Sequence, residues 1–414
     1  MQITMNNSQF GAERQEKRFV IVGGGYENKG AQAMVFSAVQ ALKEKHPESD
    51  IWVFVSDNKN ANYNEFQFNT LAWDGRLVLR LFLGKLKLFI KPTISYQEEH
   101  RIRNILLSAD ALYDVSGFML SSHFGFRASL LFLLRIALAK KYKIKMFLLP
   151  QSFGPFSYRF THKALLFPLM KLYLNYPVKI FVREKQGLSD LRKFTDKNLV
   201  KSLDLVLFSR PAGSSLAFKN HLSRNNPSLL NNGLRNVAII PNSKLLQFDS
   251  RDNILLLYKG VITALRSNNF NIYILRYSQD DLQFCRDIAI GDKNTLLLEE
   301  NYDCSQLSEF ISKMDFIISS RYHAIIHAYK SAIPALVIGW SEKYNELAQE
   351  FKQQDYFFDI RKREAKDRAL YQLLQLTKKY NYEKGILLEK IRDISFEGGQ
   401  VRGTFNFESD DKTA

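Results

Sequence analysis

The chain has 414 residues, more than a single hydrophobic core normally serves, so two domains are expected. Its 46% hydrophobic and 24% charged residues exclude wholesale disorder. A net charge of +16 calls for anionic partners, but no Lys/Arg-dense block marks a nucleic-acid arm, and nucleic acid is not expected.

Only Cys285 and Cys304 are present, too few for a disulfide framework. They read as buried thiols in a reducing compartment. The N-terminal segment has no apolar core of signal-peptide length, and no run of about 18 apolar residues occurs, so a cytoplasmic protein is expected.

In chain order, short apolar runs bounded by turn residues read as buried strands, with amphipathic segments between them. A strand over 19–22 enters Gly23-Gly24-Gly25, a helix follows over 29–45, and a strand over 51–56 completes a βαβ unit. The glycine loop departs from G-x-G-x-x-G, since the third glycine would fall at Asn28, so it reads as a backbone-lined ligand loop rather than a nicotinamide site. The stretch 76–91, RLVLRLFLGKLKLFIK, mixes cations with leucines and phenylalanines. It fits either a core helix with a basic rim or peripheral contact with an anionic membrane. Strands are expected over 111–115, 144–149 and 179–182, with helices over 129–141 and 162–173. Segment 205–235 is rich in Ser, Asn, Pro and Gly and reads as a linker. Alternation then resumes, with strands over 236–240, 271–276, 295–299, 316–319 and 335–338. The helices between and after them cover 252–267, 304–313, 321–331 and 343–352.

This order gives an α/β chain of two Rossmann-like domains facing across a cleft. The N-terminal domain covers 1–210, the linker 211–235, the C-terminal domain 236–385, and a polar tail 386–414. Ligands are expected at the carboxyl ends of the strands.

The strongest chemical signal is Ser319-Ser320-Arg321-Tyr322-His323. Ser320 reads as the N-cap, which leaves the first-turn N–H groups of the next helix pointing at a ligand. Arg321 supplies a fork for carboxylate or phosphate, and His323 a group that titrates near neutrality. Two cationic side chains at a helix start oppose its dipole, and an anionic ligand would compensate. His323 and His327 have i, i+4 spacing, but no third ligand is evident; His327 reads as packing, and no metal or cofactor is expected. Lys343 follows the next strand and can reach the same anion. Arg183 ends the 179–182 strand. In the N-terminal half, Asn28 is a polar contact in the glycine loop, and Asp114 ends a strand beside Gly117, which allows close backbone approach.

With these residues assembled, the chain resembles the polysaccharide pyruvyl transferase family. The resemblance rests on Asn28-Lys29-Gly30, the P-Q-x-x-G-P stretch from Pro150 to Pro155, Val182-Arg183-Glu184, Asp204, the S-x-R-x-H signature from Ser319 to His323, and Lys343. It departs where Ala31 and Gln32 replace an acidic residue and where Gly187 replaces a serine. The resemblance implies a glycosyltransferase-B-like fold and transfer of pyruvate from phosphoenolpyruvate to a sugar as a ketal, the acceptor glycan being possible in lipid-linked form. Under it, Ser320, Arg321, Tyr322, His323, Arg183 and Lys343 bind the donor. Asn28, Asp114 and His123 then stand on the acceptor side, Asp114 and His123 as candidate bases. His323 is the general acid or phosphate partner, and alanine at Arg321 or His323 abolishes transfer without unfolding the chain. Two rival readings are a sugar-nucleotide glycosyltransferase, with Glu342 or Glu346 on the donor ribose, and a non-catalytic anion- or glycan-binding module.

Overall fold

The computed structural model describes residues 16–55, 66–84, 86, 90–209, 217, 227–230, 232–291, 295–397 and 399–405. In the first half the strands are β1 (Arg18–Val22), β2 (Asp50–Val55), β3 (Asn69–Ala72), β4 (Ala111–Asp114), β5 (Lys145–Gln151), β6 (Lys179–Val182) and β7 (Leu199–Lys201). Its helices are α1 (Lys29–Lys45), α2 (Gly75–Leu83), α3 (Tyr96–Leu107), α4 (Gly125–Tyr142), α5 (Phe160–Tyr173), α6 (Lys185–Leu191) and α7 (Leu205–Phe208). The second half has strands β8 (Arg235–Ile240), β9 (Phe270–Leu275), β10 (Thr295–Leu298), β11 (Phe316–Ser319), β12 (Ala335–Gly339) and β13 (Phe357–Asp359). Its helices are α8 (Arg251–Arg266), α9 (Leu282–Ala289), α10 (Cys304–Ser312), α11 (Tyr322–Lys330), α12 (Glu342–Glu350), α13 (Ala365–Glu397) and α14 (Gly399–Gly403).

Each half is a parallel sheet, ordered β3-β2-β1-β4-β5-β6-β7 and β10-β9-β8-β11-β12-β13. Both orders reverse direction beside their first strand, so each has a topological switch point, β1/β4 in one and β8/β11 in the other. The strands that flank each point end in register, Val22 against Asp114 and Ile240 against Ser319. Four loops therefore leave the two sheets at matching heights, and the two switch points supply the cleft.

The central strands are nearly all buried, as parallel strands covered by helices on both faces must be. One hydrophobic cluster joins the two domains through α1, α10 and α11, while two others lie on the outer faces of the two sheets.

Two sequence expectations need correction. Residues 386–405 do not form a polar tail. Residues 386–397 continue α13, and α14 follows, with Leu387, Ile394, Val401 and Phe405 buried in the cluster shared by both domains. The Phe405 ring stacks on Tyr113 of β4 at 5.2 Å, and the Tyr113 hydroxyl donates to the Thr404 carbonyl at 3.1 Å. Polar composition hid this because α13 exposes long polar side chains on its outer turns while a few apolar residues anchor it. Residues beyond 405 lie outside the described ones.

The basic stretch 76–91 is a core helix where it is described. In α2, Leu77, Val78 and Leu81 are buried. Arg80 is buried as well and forks onto Glu99 at 2.8 and 3.0 Å. Lys85 and Lys87 lie outside the described residues. The linker is only partly described, and the short helix α7 at its start packs against α1 and α11.

The second correction concerns the cap of α11. Its N-cap is Arg321, in extended conformation, rather than Ser320. Ser320 is fully buried beneath it, its hydroxyl 3.2 Å from that of Tyr258. The Ser319 hydroxyl accepts from the Arg321 amide at 3.0 Å and so takes over the turn-closing role.

A candidate anion-binding active site between the domains

A cleft of about 270 Å³ opens between the switch points. From the C-terminal domain it is lined by Asn242, Lys244, Arg321, Tyr322, His323 and Lys343, and from the N-terminal domain by Asn28, Ser116, Gly117, Phe118 and Arg183 among others. Its charged lining residues are Arg183, Lys244, Arg321 and Lys343; among the described residues no carboxylate lines it. Neutralising that field takes an anion with more than one charge.

Arg321 is held by Asp281, which is fully buried. The Asp281 carboxylate also accepts from the Ser243 amide at 3.0 Å and its hydroxyl at 3.2 Å. One arm of the Arg321 fork is thereby fixed, and Arg321 lines the cleft at the start of α11, whose leading N–H groups have no intrahelical partners. Lys343 opens α12, beside α11 because β11 and β12 pair. Its ammonium lies 5.0 Å from the Tyr322 ring centroid and makes no hydrogen bond or ion pair among the described residues. Burial, reinforced by Arg183, pushes its pKa down to about 8. It is thus charged at neutral pH but poised to lose its proton just above it.

Arg183 lines the cleft but is less available to a ligand than its strand-end position suggests. It donates to Asp204, to the Gly117 carbonyl at 2.7 Å and to the Ser152 hydroxyl at 2.8 Å. Burial opposes its charge, but the carboxylate of Asp204, with Tyr322 and Glu184, outweighs that and raises its pKa. It works as a strut: it fixes the loop after β4 and places its guanidinium 5.1 Å from the Tyr322 ring centroid.

Asp204 ties the domains together. One oxygen accepts from the Val206 amide at 3.0 Å and caps α7; the other takes Arg183 and stands 3.6 Å from His323 Nε2. Burial pushes the His323 pKa down to about 4; Asp204 opposes that, while Arg183 and Lys343 add to it. The imidazole is therefore neutral across the physiological range and ready to take up a proton. Its other nitrogen faces the glycine of Asn28-Lys29-Gly30, so tightly that a Cβ on Gly30 would lie 2.2 Å from His323 Nδ1. Asn28 sets this approach by capping α1, its side chain accepting from the Gly30 amide at 3.0 Å.

The proposed acceptor groups fare unequally. Asp114 is fully buried, accepts from the Ser116 amide at 2.9 Å and pairs with Arg135 at 3.5 Å. It is not on the cleft surface, and a base role there is ruled out by burial. His123 is exposed at the rim, its ring 6.3 Å from that of Phe118. His327 is buried, as packing requires. Glu346, offered above as a ribose contact, instead receives the Lys185 amide at 2.9 Å, and Glu342 receives Asn345 at 2.7 Å. Lys244 escaped sequence reasoning, although its place in the loop after β8, one of the switch-point strands, was a usable signal.

The family model for polysaccharide pyruvyl transferase matches residues 28–342. The chain belongs to the polysaccharide pyruvyl transferase family. That match spans the Asn28 loop, the Arg183 strut and the whole Ser319–His323 turn, so the family's sequence coincides with the cleft built here. No curated protein matches the sequence significantly. Among solved structures, the glycotransferase of kitacinnamycin is similar at 10% identity and TM-score 0.55, covering 94% of this chain and 99% of that one. Trehalose-6-phosphate synthase OtsA is similar at 10% identity and TM-score 0.52, covering 95% and 99%. The UDP-GlcNAc 2-epimerase from Methanocaldococcus jannaschii is similar at 10% identity and TM-score 0.51, covering 87% and 92%. At these identities the likeness establishes the fold, two Rossmann-like domains in the glycosyltransferase-B arrangement.

Proposed function

We propose that this pyruvyl transferase family member moves the enolpyruvyl carbons of phosphoenolpyruvate onto two hydroxyls of a glycan, releasing phosphate and leaving a pyruvate ketal. The observation that carries the reading is the cleft lining: Arg321, Lys343, Lys244 and the α11 amide turn converge, and among the described residues no carboxylate lines the cleft beside them. Phosphoenolpyruvate presents a carboxylate and a phosphate on adjacent atoms, and such a pair of anions needs a divided cationic site. A sugar nucleotide would want an acid for its ribose, and Glu342 and Glu346 are engaged elsewhere.

The chemistry follows from His323 being neutral. It takes the proton of the first sugar hydroxyl as that oxygen bonds to C2 of the enol, and as imidazolium it hands the proton to C3, which becomes the methyl group. The second hydroxyl then attacks C2; the C2–O bond to phosphate breaks, and phosphate departs with that hydroxyl's proton. Asp204 steadies the transient imidazolium. Arg321 and Lys343 hold the phosphate that leaves. No metal or cofactor enters the scheme. Two buried thiols, Cys285 and Cys304, suit the reducing cytoplasm in which we set the reaction. The experiment is phosphate release from phosphoenolpyruvate by purified protein, with and without candidate oligosaccharides, and mass detection of the ketal. Release from a sugar nucleotide instead would overturn the reading.

Two further results are expected. Because kcat/KM reports free-enzyme ionisations, it should fall as pH rises through about 8, where Lys343 loses its charge. Lys343→Arg should move that limb above pH ~9, since arginine stays protonated. An unmoved limb would remove Lys343 from donor binding. Gly30→Ala should displace the His323 ring, because its Cβ would sit 2.2 Å from Nδ1. The expected loss is about 100-fold in kcat, with KM for phosphoenolpyruvate changed by no more than about threefold.

A further inference from the structure

Between Val115 and Val182 the sequence holds ten Lys and Arg and no Asp or Glu. This acid-free span includes α4 and α5, which pack together on the outer face of the N-terminal sheet. Helix α5 turns Leu166 and Met170 to the core. Its solvent side carries Leu165 at 48% exposure and Leu172 at 53%, and Phe160, at 86%, projects from its first turn. Exposed apolar side chains occur elsewhere too, Tyr96, Leu256 and Ile290 among them, but those of α5 lie within the acid-free span, where an interaction surface is the natural reading. Around them stand Arg159 and Lys171, both exposed, and Lys163, half-buried. Such a helix, apolar outward and rimmed by cations with no acid, matches the interface of an anionic bilayer.

Position in the fold adds a second argument. Both helices follow parallel strands, so their N-termini lie at the carboxyl ends of those strands, where the cleft opens. Phe124, half-exposed just before α4, lines the cleft itself. Two residues on, Phe126 stacks on His162 of α5 at 4.5 Å. Exposed apolar groups thus stand both at the cleft mouth, in Phe124, and on α5.

We propose that the outer face of α5, led by Phe160 and Leu172 with Arg159, Lys163 and Lys171, docks this protein on an anionic bilayer surface. Among the described residues no helix is long and apolar enough to cross a membrane, so the contact is peripheral. Under the transferase reading, on which this last step rests, the membrane then stands at the cleft mouth and the acceptor is a glycan carried on a lipid.

The test is co-sedimentation of the full chain with vesicles of phosphatidylcholine, with and without about a third phosphatidylglycerol, at low and high salt. The expected result is binding to the anionic vesicles only, weakened by salt. Phe160→Ser with Leu172→Ser, and separately Arg159→Ala with Lys163→Ala, should each lower the partition coefficient by roughly tenfold. All four side chains point outward or sit at the surface, so the thermal midpoint should hold and identify any misfolded variant. His323→Gln should bind vesicles as the unaltered chain does, which separates docking from catalysis. Absence of binding, binding equal on neutral vesicles, or binding untouched by both double variants would overturn the proposal. So would a sedimentation-velocity dimer that the Phe160/Leu172 variant dissolves, since the face would then be an interface between copies.

Discussion

Arg321→Ala should lower phosphate release by about 1,000-fold and should also make the protein easier to unfold. The first effect follows from losing a charged, forked donor at the departing phosphate, where removing one preorganised donor typically costs 100- to 1,000-fold. The second was not visible from the sequence, which led to the expectation of an intact fold. Asp281 is fully buried and Arg321 is its charged partner; without it the carboxylate keeps only the Ser243 contacts. Breaking a buried pair from one side costs about 3–5 kcal/mol. Adding Asp281→Asn to Arg321→Ala should restore most of the urea midpoint and none of the activity. Turnover at the original rate in either variant would remove Arg321 from the donor site.

Asp204 should show the second-largest effect, and its two variants separate structure from chemistry. Asp204→Ala strips the buried Arg183 of its carboxylate and α7 of its cap. The expected cost is about 3–5 kcal/mol of stability, read from the denaturant midpoint. Asp204→Asn keeps one acceptor oxygen, enough for the α7 cap, but removes the charge and turns an NH2 group toward Arg183. Since that charge raises the His323 pKa, its loss lowers the pKa further and makes the imidazole a weaker base. Turnover should fall about 100-fold, as it does when a general base loses its tuning, with a smaller fall in midpoint than for Asp204→Ala because the cap survives. A fully active Asp204→Asn variant would mean that His323 does not depend on this carboxylate.

The central strands were legible in the sequence to within a residue or two, because buried parallel strands are short apolar runs with turn residues at their ends. Strands β3, β7 and β13 were not. Each is three or four residues long at a sheet edge, and Asn69–Ala72 buries only Leu71 fully. Edge strands lack the continuous apolar signal. At the site, Arg321, His323 and Lys343 were legible since each sits at a strand-to-helix turn. The closeness of Gly30 to His323 was not, because it depends on how two domains meet across nearly three hundred residues of chain. Nor could sequence show that Arg183 spends its donors on Asp204, Gly117 and Ser152 or that Asp114 is sealed beneath the surface. The basic apolar stretch at 76–91 suggested a membrane contact, but α2 buries Leu77, Val78, Arg80 and Leu81; the acid-free span around α5 was equally readable, but which side chains face water was not.

The passage of α13 and α14 back to Tyr113 has a mechanical consequence. The polypeptide crosses between the domains once after α7 and again near the end of α13, so each half is fastened to the other at two points. A body fastened once can swivel about any axis, whereas one fastened twice can turn only about the line through its attachments. Any opening of the cleft would therefore turn about the line through those two attachments, like a door on two pins, and closing it would bring the Asn28 loop back to the same seat against His323.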